Sequence, residues 1–142
     1  MPTCHLLAVC QGSSLDQSTN NWSIFGLVEQ VQVRSFPAAL PFEVHSHWRY
    51  EPDENGCDFE FRIAMISPSA GQVFSDPITV HARNPRHRIR AAGLPPISGP
   101  GNYEITMEWR SSGTANWTRC GHSWPLTVQQ VEQLPTPGEQ LH

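Results

Sequence analysis

Three stretches of this chain alternate apolar and polar side chains residue by residue, and that period restricts the fold more than any other feature. Phe42, Val44, Trp48 and Tyr50 interleave with Glu43, His45, His47 and Arg49, with Ser46 the one small polar residue on the apolar side. Phe59, Phe61, Ile63 and Met65 interleave with Asp58, Glu60, Arg62 and Ala64, and Tyr103, Ile105, Met107 and Trp109 with Glu104, Thr106, Glu108 and Arg110. A period of two sends successive side chains to opposite faces of a strand, so each stretch carries one face for a core and one for water. The expectation is an all-β chain, an antiparallel β-sandwich of seven to eight strands, Ig-like in general arrangement, with little helix.

With 142 residues the chain fits a single domain, expected over 1–130, large enough to stand without disulfide or metal. Scattered Pro and Gly punctuate short elements. The formal charge of −4 argues for solubility and against a general nucleic-acid binder, which must neutralise phosphates. The short apolar run ending at Gln11 has no basic residues before it and is too short for a membrane span, so a cytoplasmic protein without membrane association is expected. In that compartment Cys4, Cys10, Cys57 and Cys120 are expected as free thiols.

Along the chain, Thr3–Gln11 reads as a first strand and 12–21 as a polar loop. A second strand over Trp22–Val33 changes parity between Val28 and Val31, which predicts a bulge near Glu29 and Gln30. Phe36–Pro41 reads as an apolar crossover, because each proline drives its preceding residue to extended geometry. Asn55-Gly56 is a hairpin signal. A four-residue loop, Asp53–Gly56, sets Arg49 opposite Glu60 and Trp48 opposite Phe61, whereas a two-residue turn opposes Glu51 and Glu60. Pro77 places an edge or bulge in the strand 73–83. Segment 84–101 reads as the least regular part, and a last strand over 117–128 aligns Cys120, His122, Trp124 and Leu126 on one face. A frayed tail is expected over 131–142.

No nucleotide-binding loop, nucleophile elbow or metal-protease motif is present, and no cofactor is expected. His45 and His47, two apart on a polar strand face, offer two imidazoles to one metal, with Glu43 and His81 or His122 as further ligands. The same alternation that makes them polar also explains them as solvent-facing residues. Cys120 and His122 present a thiol and a base without an orienting third group, and a core role for Cys120 is the expectation. Arg83, Arg86, His87, Arg88 and Arg90 gather four of the nine arginines into eight residues. Guanidinium forks suit phosphate and carboxylate groups, so Arg86, His87, Arg88 and Arg90 are the candidate contacts to an anion or partner.

The apolar first strand, Ser23–Val28, the Phe36–Pro41 crossover and Gly101–Ile105 together resemble an uncharacterised family of small bacterial β-sandwich proteins of unknown function. That resemblance implies a bacterial cytosolic protein with a sandwich fold and transfers no site residues. The sequence expectation for function is therefore a non-enzymatic interaction module, pairing through a sheet edge or loop face with a protein partner or with itself. The alternatives are an anionic ligand or nucleic acid on the Arg83–Arg90 segment, and a metal-dependent site at His45 and His47.

Overall fold

A computed structural model describes residues 1–69 and 71–133, and within them the alternating stretches become strands of two packed sheets. In chain order the strands are β1 (Thr3–Asp16), β2 (Asn21–Leu27), β3 (Gln30–Val33), β4 (Glu43–Arg49), β5 (Asp58–Ser67) and β6 (Gly71–Phe74). They continue with β7 (Ile78–His81), β8 (Arg86–Ala92), β9 (Gly101–Ser111), β10 (Thr118–Arg119) and β11 (Trp124–Gln130). One sheet runs β2-β1-β4-β8, all antiparallel. The other runs β3-β11-β9-β5-β6, with β10 paired to β9 and β7 to β5. The architecture is the β-sandwich that the period of two predicts. Among the described residues no helix is long and apolar enough to cross a membrane.

The core lies between the sheets and is made by the apolar parity of each strand. Trp48, Phe61, Met107 and Ile105 are each at most 1% exposed, and Val9, Val44 and Leu126 fill the space around them. The crossover also contributes: Ala38 and Ile97 exchange backbone hydrogen bonds at 2.9 and 3.0 Å, and Leu94 N donates to Leu40 O at 2.9 Å. This strap buries Leu40 and Ile97 across one end of the sandwich. The four cysteines are free.

Three local expectations are corrected. β4 and β5 do not form a hairpin. They belong to different sheets, joined by a short 3-10 turn at Pro52–Glu54, and Glu60 pairs with Arg110 rather than Arg49. Trp48 and Phe61 do meet, but edge-on across the sandwich, with ring centroids 4.7 Å apart. Both strands have a strong apolar face, and facing those sides toward one another buries more surface than placing them side by side.

The parity change at Glu29 and Gln30 is not a bulge either. There the chain leaves the first sheet and enters the second, where β3 lies parallel to β11. Val28 N donates to Val9 O on one side of the switch, and Thr127 N to Glu29 O on the other, both at 2.9 Å. Finally, β1 runs through the polar stretch to Asp16, so only residues 17–20 form the turn into β2. The Phe25 ring lies over Gly12, where an added Cβ would come within 2.6 Å of it and the exposed ring would have to move aside. The strand expected over 73–83 is divided around Pro77 into β6 and β7, which pair successively to β5 at the sheet edge. Of the tail expected over 131–142, residues 134–142 lie outside the described residues.

Trp48→Ala and Phe61→Ala should each lower unfolding free energy by about 3–5 kcal/mol in denaturant titration. A double-mutant cycle should return a coupling of about 0.5–1.5 kcal/mol for the edge-on pair, and strict additivity would contradict the cross-sheet contact.

Candidate functional site

The alternation of β4 and β8 builds a cationic surface on the outer face of the four-stranded sheet. Antiparallel register sets His45 beside Arg90, His47 beside Arg88 and Arg49 beside Arg86. Because both strands keep a period of two, these six side chains form a ladder on one face. The segment expected to be irregular is thus a regular edge strand. Its neighbouring Pro and Gly residues lie at its flanks rather than within it.

The ladder divides at His45. On one side, Arg90 donates to Glu43 Oε2 at 2.5 Å, while His45 and Ser13 Oγ hydrogen-bond Glu43 Oε1 at 2.9 and 2.7 Å. The Arg90 hydrogen bond, with those from His45 and Ser13, holds the Glu43 carboxyl at about 2, below the usual carboxylate range. His45 is only 3% exposed, covered edge-on by the Trp22 ring at 5.7 Å, so its expected solvent-facing position is corrected to a buried one. Cys10 lies in register with Glu43, and its Sγ, a Glu43 carboxylate oxygen and a His45 ring nitrogen all lie within 4.8 Å of one another. The donor group that converges is therefore Cys10, Glu43 and His45. His47, His81 and His122 are not part of it. Alternation gave His45 its face. Nothing in the sequence placed Cys10 beside it, because that depends on the β1–β4 register.

On the other side of His45 the ladder opens into a cleft of about 910 Å³. Arg49, Arg86 and Arg88 line it together with His5, His47 and His87. Asn20 from the β1–β2 turn and Asn21 and Trp22 at the start of β2 form another part of its wall, and among the described residues no acidic one lines it. Arg88 donates to Asn20 O at 2.9 Å and lies 5.8 Å from the Trp22 ring centroid. Burial, and then the Arg88 guanidinium beside it, push the His47 imidazole below its ordinary value. His87 has the opposite parity and packs near Tyr50, with centroids 6.3 Å apart, and burial likewise pushes it down. Of the four expected anion contacts, Arg86, His87 and Arg88 line the cleft, while Arg90 is occupied by Glu43. Arg49, His5 and Trp22 were missed. Arg49 was recoverable from the strict two-residue spacing of Arg86, Arg88 and Arg90, which implies a strand able to pair with β4.

The outer face of the second sheet differs sharply in its charge pairing. Glu108 bridges Arg62 and Arg119 at 2.7 and 3.2 Å, and Arg110 pairs with Glu60 at 2.5 Å. Trp117 lies between two of these guanidinium groups, 4.3 Å from Arg62 and 4.2 Å from Arg110. Among the described residues Arg49, Arg86 and Arg88 form no carboxylate pair. The cleft therefore presents its charge outward, whereas the opposite face consumes its own.

Cys120 and His122 do not make a thiol–imidazole pair. The His122 ring hydrogen-bonds the Cys4 carbonyl at 3.1 Å, and Cys120 Sγ lies 3.4 Å from the His122 backbone carbonyl. Thr106 Oγ1 lies 3.5 Å from Cys120 Sγ, which also meets the Cys4 thiol. That thiol–thiol hydrogen bond lowers Cys120 to about 5 and, with burial, raises Cys4.

No protein-family model matches this chain, and no curated protein matches it in sequence.

Because the Cys4 thiol supports the Cys120 thiolate, iodoacetamide should label Cys120 at mildly acidic pH, read by peptide mass spectrometry. Cys4→Ala should slow that labelling several-fold at the same pH, and an unchanged rate would show that Cys4 does not hold the charge.

Proposed function

We propose that this Ig-like sandwich is a non-enzymatic binding module that takes an anionic ligand, phosphate- or carboxylate-bearing, in the cleft between β4, β8 and the β1–β2 turn. The observation that carries this reading is the trio Arg49, Arg86 and Arg88, lining one cleft without a carboxylate partner among the described residues. Guanidinium forks match such oxyanions in bidentate geometry, and a concave site holding several of them strengthens their field. The half-buried Trp22 beside Arg88 adds a flat apolar wall on which a ring attached to the anion would lie. The negative net charge favours a compact anion over a long nucleic-acid track, since among the described residues this face alone offers unmatched cations in a row.

Calorimetric titration with inorganic triphosphate tests the reading. Saturable binding should weaken with added salt, and Arg86→Ala and Arg88→Ala should each reduce affinity by about ten- to a hundredfold, the scale of a lost charged hydrogen bond. Both positions are on a sheet surface, so the variants should fold. A single-stranded oligonucleotide run in parallel separates a compact anion from nucleic acid. No saturable heat with triphosphate, or equal affinity in the variants, ends the proposal.

A second reading, pairing with a protein partner or with another copy through a sheet edge, is supported by β2. This edge strand leaves Phe25 and Leu27 56% and 57% exposed, with its outer backbone edge open. Light scattering at rising protein concentration should then show association that Phe25→Asp abolishes, whereas a strict monomer at every concentration removes self-association.

A further inference from the structure

We propose that Cys10, Glu43 and His45 form a zinc site, separate from the anion cleft and independent of that reading. Three different donor types converge there: a thiol sulfur, a carboxylate oxygen and an imidazole nitrogen, all within 4.8 Å. Tetrahedral zinc, with bonds of about 2.0–2.3 Å, needs donors roughly 3.3–3.8 Å apart, so small side-chain rotations complete the set. The 2.9 Å His45–Glu43 contact must open slightly to admit the ion, and the sulfur must draw in.

The surroundings suit a ligated metal. Arg90 holds Glu43 Oε2, which leaves Oε1 as the ligating oxygen, and Ser13 Oγ bonds that same Oε1. Such outer hydrogen bonds orient metal-bound carboxylates. Trp22 fixes the His45 ring from the side, and Cys10 is fully buried. The donor set selects the ion: sulfur and nitrogen ligands exclude calcium and magnesium, which take oxygen, and favour zinc among abundant divalent ions. Thiolate and carboxylate together neutralise the ion's two charges, so the buried site acquires no net charge beyond Arg90's. In binding, the Cys10 thiol loses its proton to solvent as the sulfur–zinc bond forms. His45 Nε2 gives up its contact with Glu43 Oε1 to ligate the ion.

The test uses the full chain, stripped with chelator and refolded with zinc or with cobalt, because Cys10 is sealed in the folded protein. The proposal expects a single equivalent of zinc per chain and a raised melting temperature. Cobalt should give a sulfur-to-metal charge-transfer band that Cys10→Ser abolishes. His45→Gln should reduce zinc affinity at least tenfold, and Arg86→Ala should leave it unchanged. His45→Gln also serves as the second ligand variant should Cys10→Ser not fold. No stoichiometric uptake after refolding, or a cobalt complex without a sulfur band, overturns the proposal. Uptake unchanged in both ligand variants overturns it equally, by assigning the metal to the cleft histidines.

Discussion

The edge-on contact between Trp48 and Phe61 is what the rest of the molecule depends on. It joins one sheet to the other at the centre of the core, and each ring is at most 1% exposed. The indole can occupy that position because its one polar atom is satisfied on its own strand: Trp48 Nε1 donates to Ser46 Oγ at 2.9 Å. Ser46, the only polar residue on the apolar parity of β4, is therefore the partner that lets the largest core side chain be buried without an unsatisfied donor. With Trp48 fixed inward, parity forces His45, His47 and Arg49 outward. The cationic ladder is thus a consequence of the core.

The two outer faces illustrate how the same residue type serves different ends. On the second sheet each of Arg62, Arg110 and Arg119 has a carboxylate partner in reach, and Trp117 fills the space between two guanidinium groups. Those arginines stiffen the surface. On the first sheet, among the described residues, only Arg90 is so matched, and Glu43, which matches it, also binds His45 and Ser13. That single carboxylate separates a neutralised, buried end of the ladder from an open, uncompensated one. The separation is what leaves Arg49, Arg86 and Arg88 able to meet a ligand.

Strand identity was legible wherever alternation was clean, as in β4, β5 and β9, and the apolar parity named Trp48, Phe61, Ile105 and Met107 as core. Partnership was not legible. The Asn55-Gly56 signal and the charge pairing of Arg49 with Glu60 both favoured a hairpin, but local pairing energies of this kind are small beside the burial of two aromatic faces. The break at Glu29 and Gln30 was visible as a change of parity. One strand's pattern cannot distinguish an extra residue from a change of sheet, because both invert the faces. Likewise Cys10 and Trp22 reach the site only through registers of β1 with its neighbours, and register is a property of pairs.

The parallel pairing of β3 with β11 has a consequence for how the chain assembles. Residues 30–33 find their backbone partners at 127–130, so among the described residues this is the strand pairing of longest sequence separation, and it raises the contact order. During ribosomal synthesis β3 emerges early but must wait, unpaired, until the carboxy-terminal strand leaves the exit tunnel. Since Trp124 Nε1 also donates to Val28 O at 2.7 Å, the arrival of β11 fixes the point where the chain changes sheets. Pairing at that edge therefore cannot precede the emergence of β11, and a nascent chain stalled before it would leave β3 without its partner.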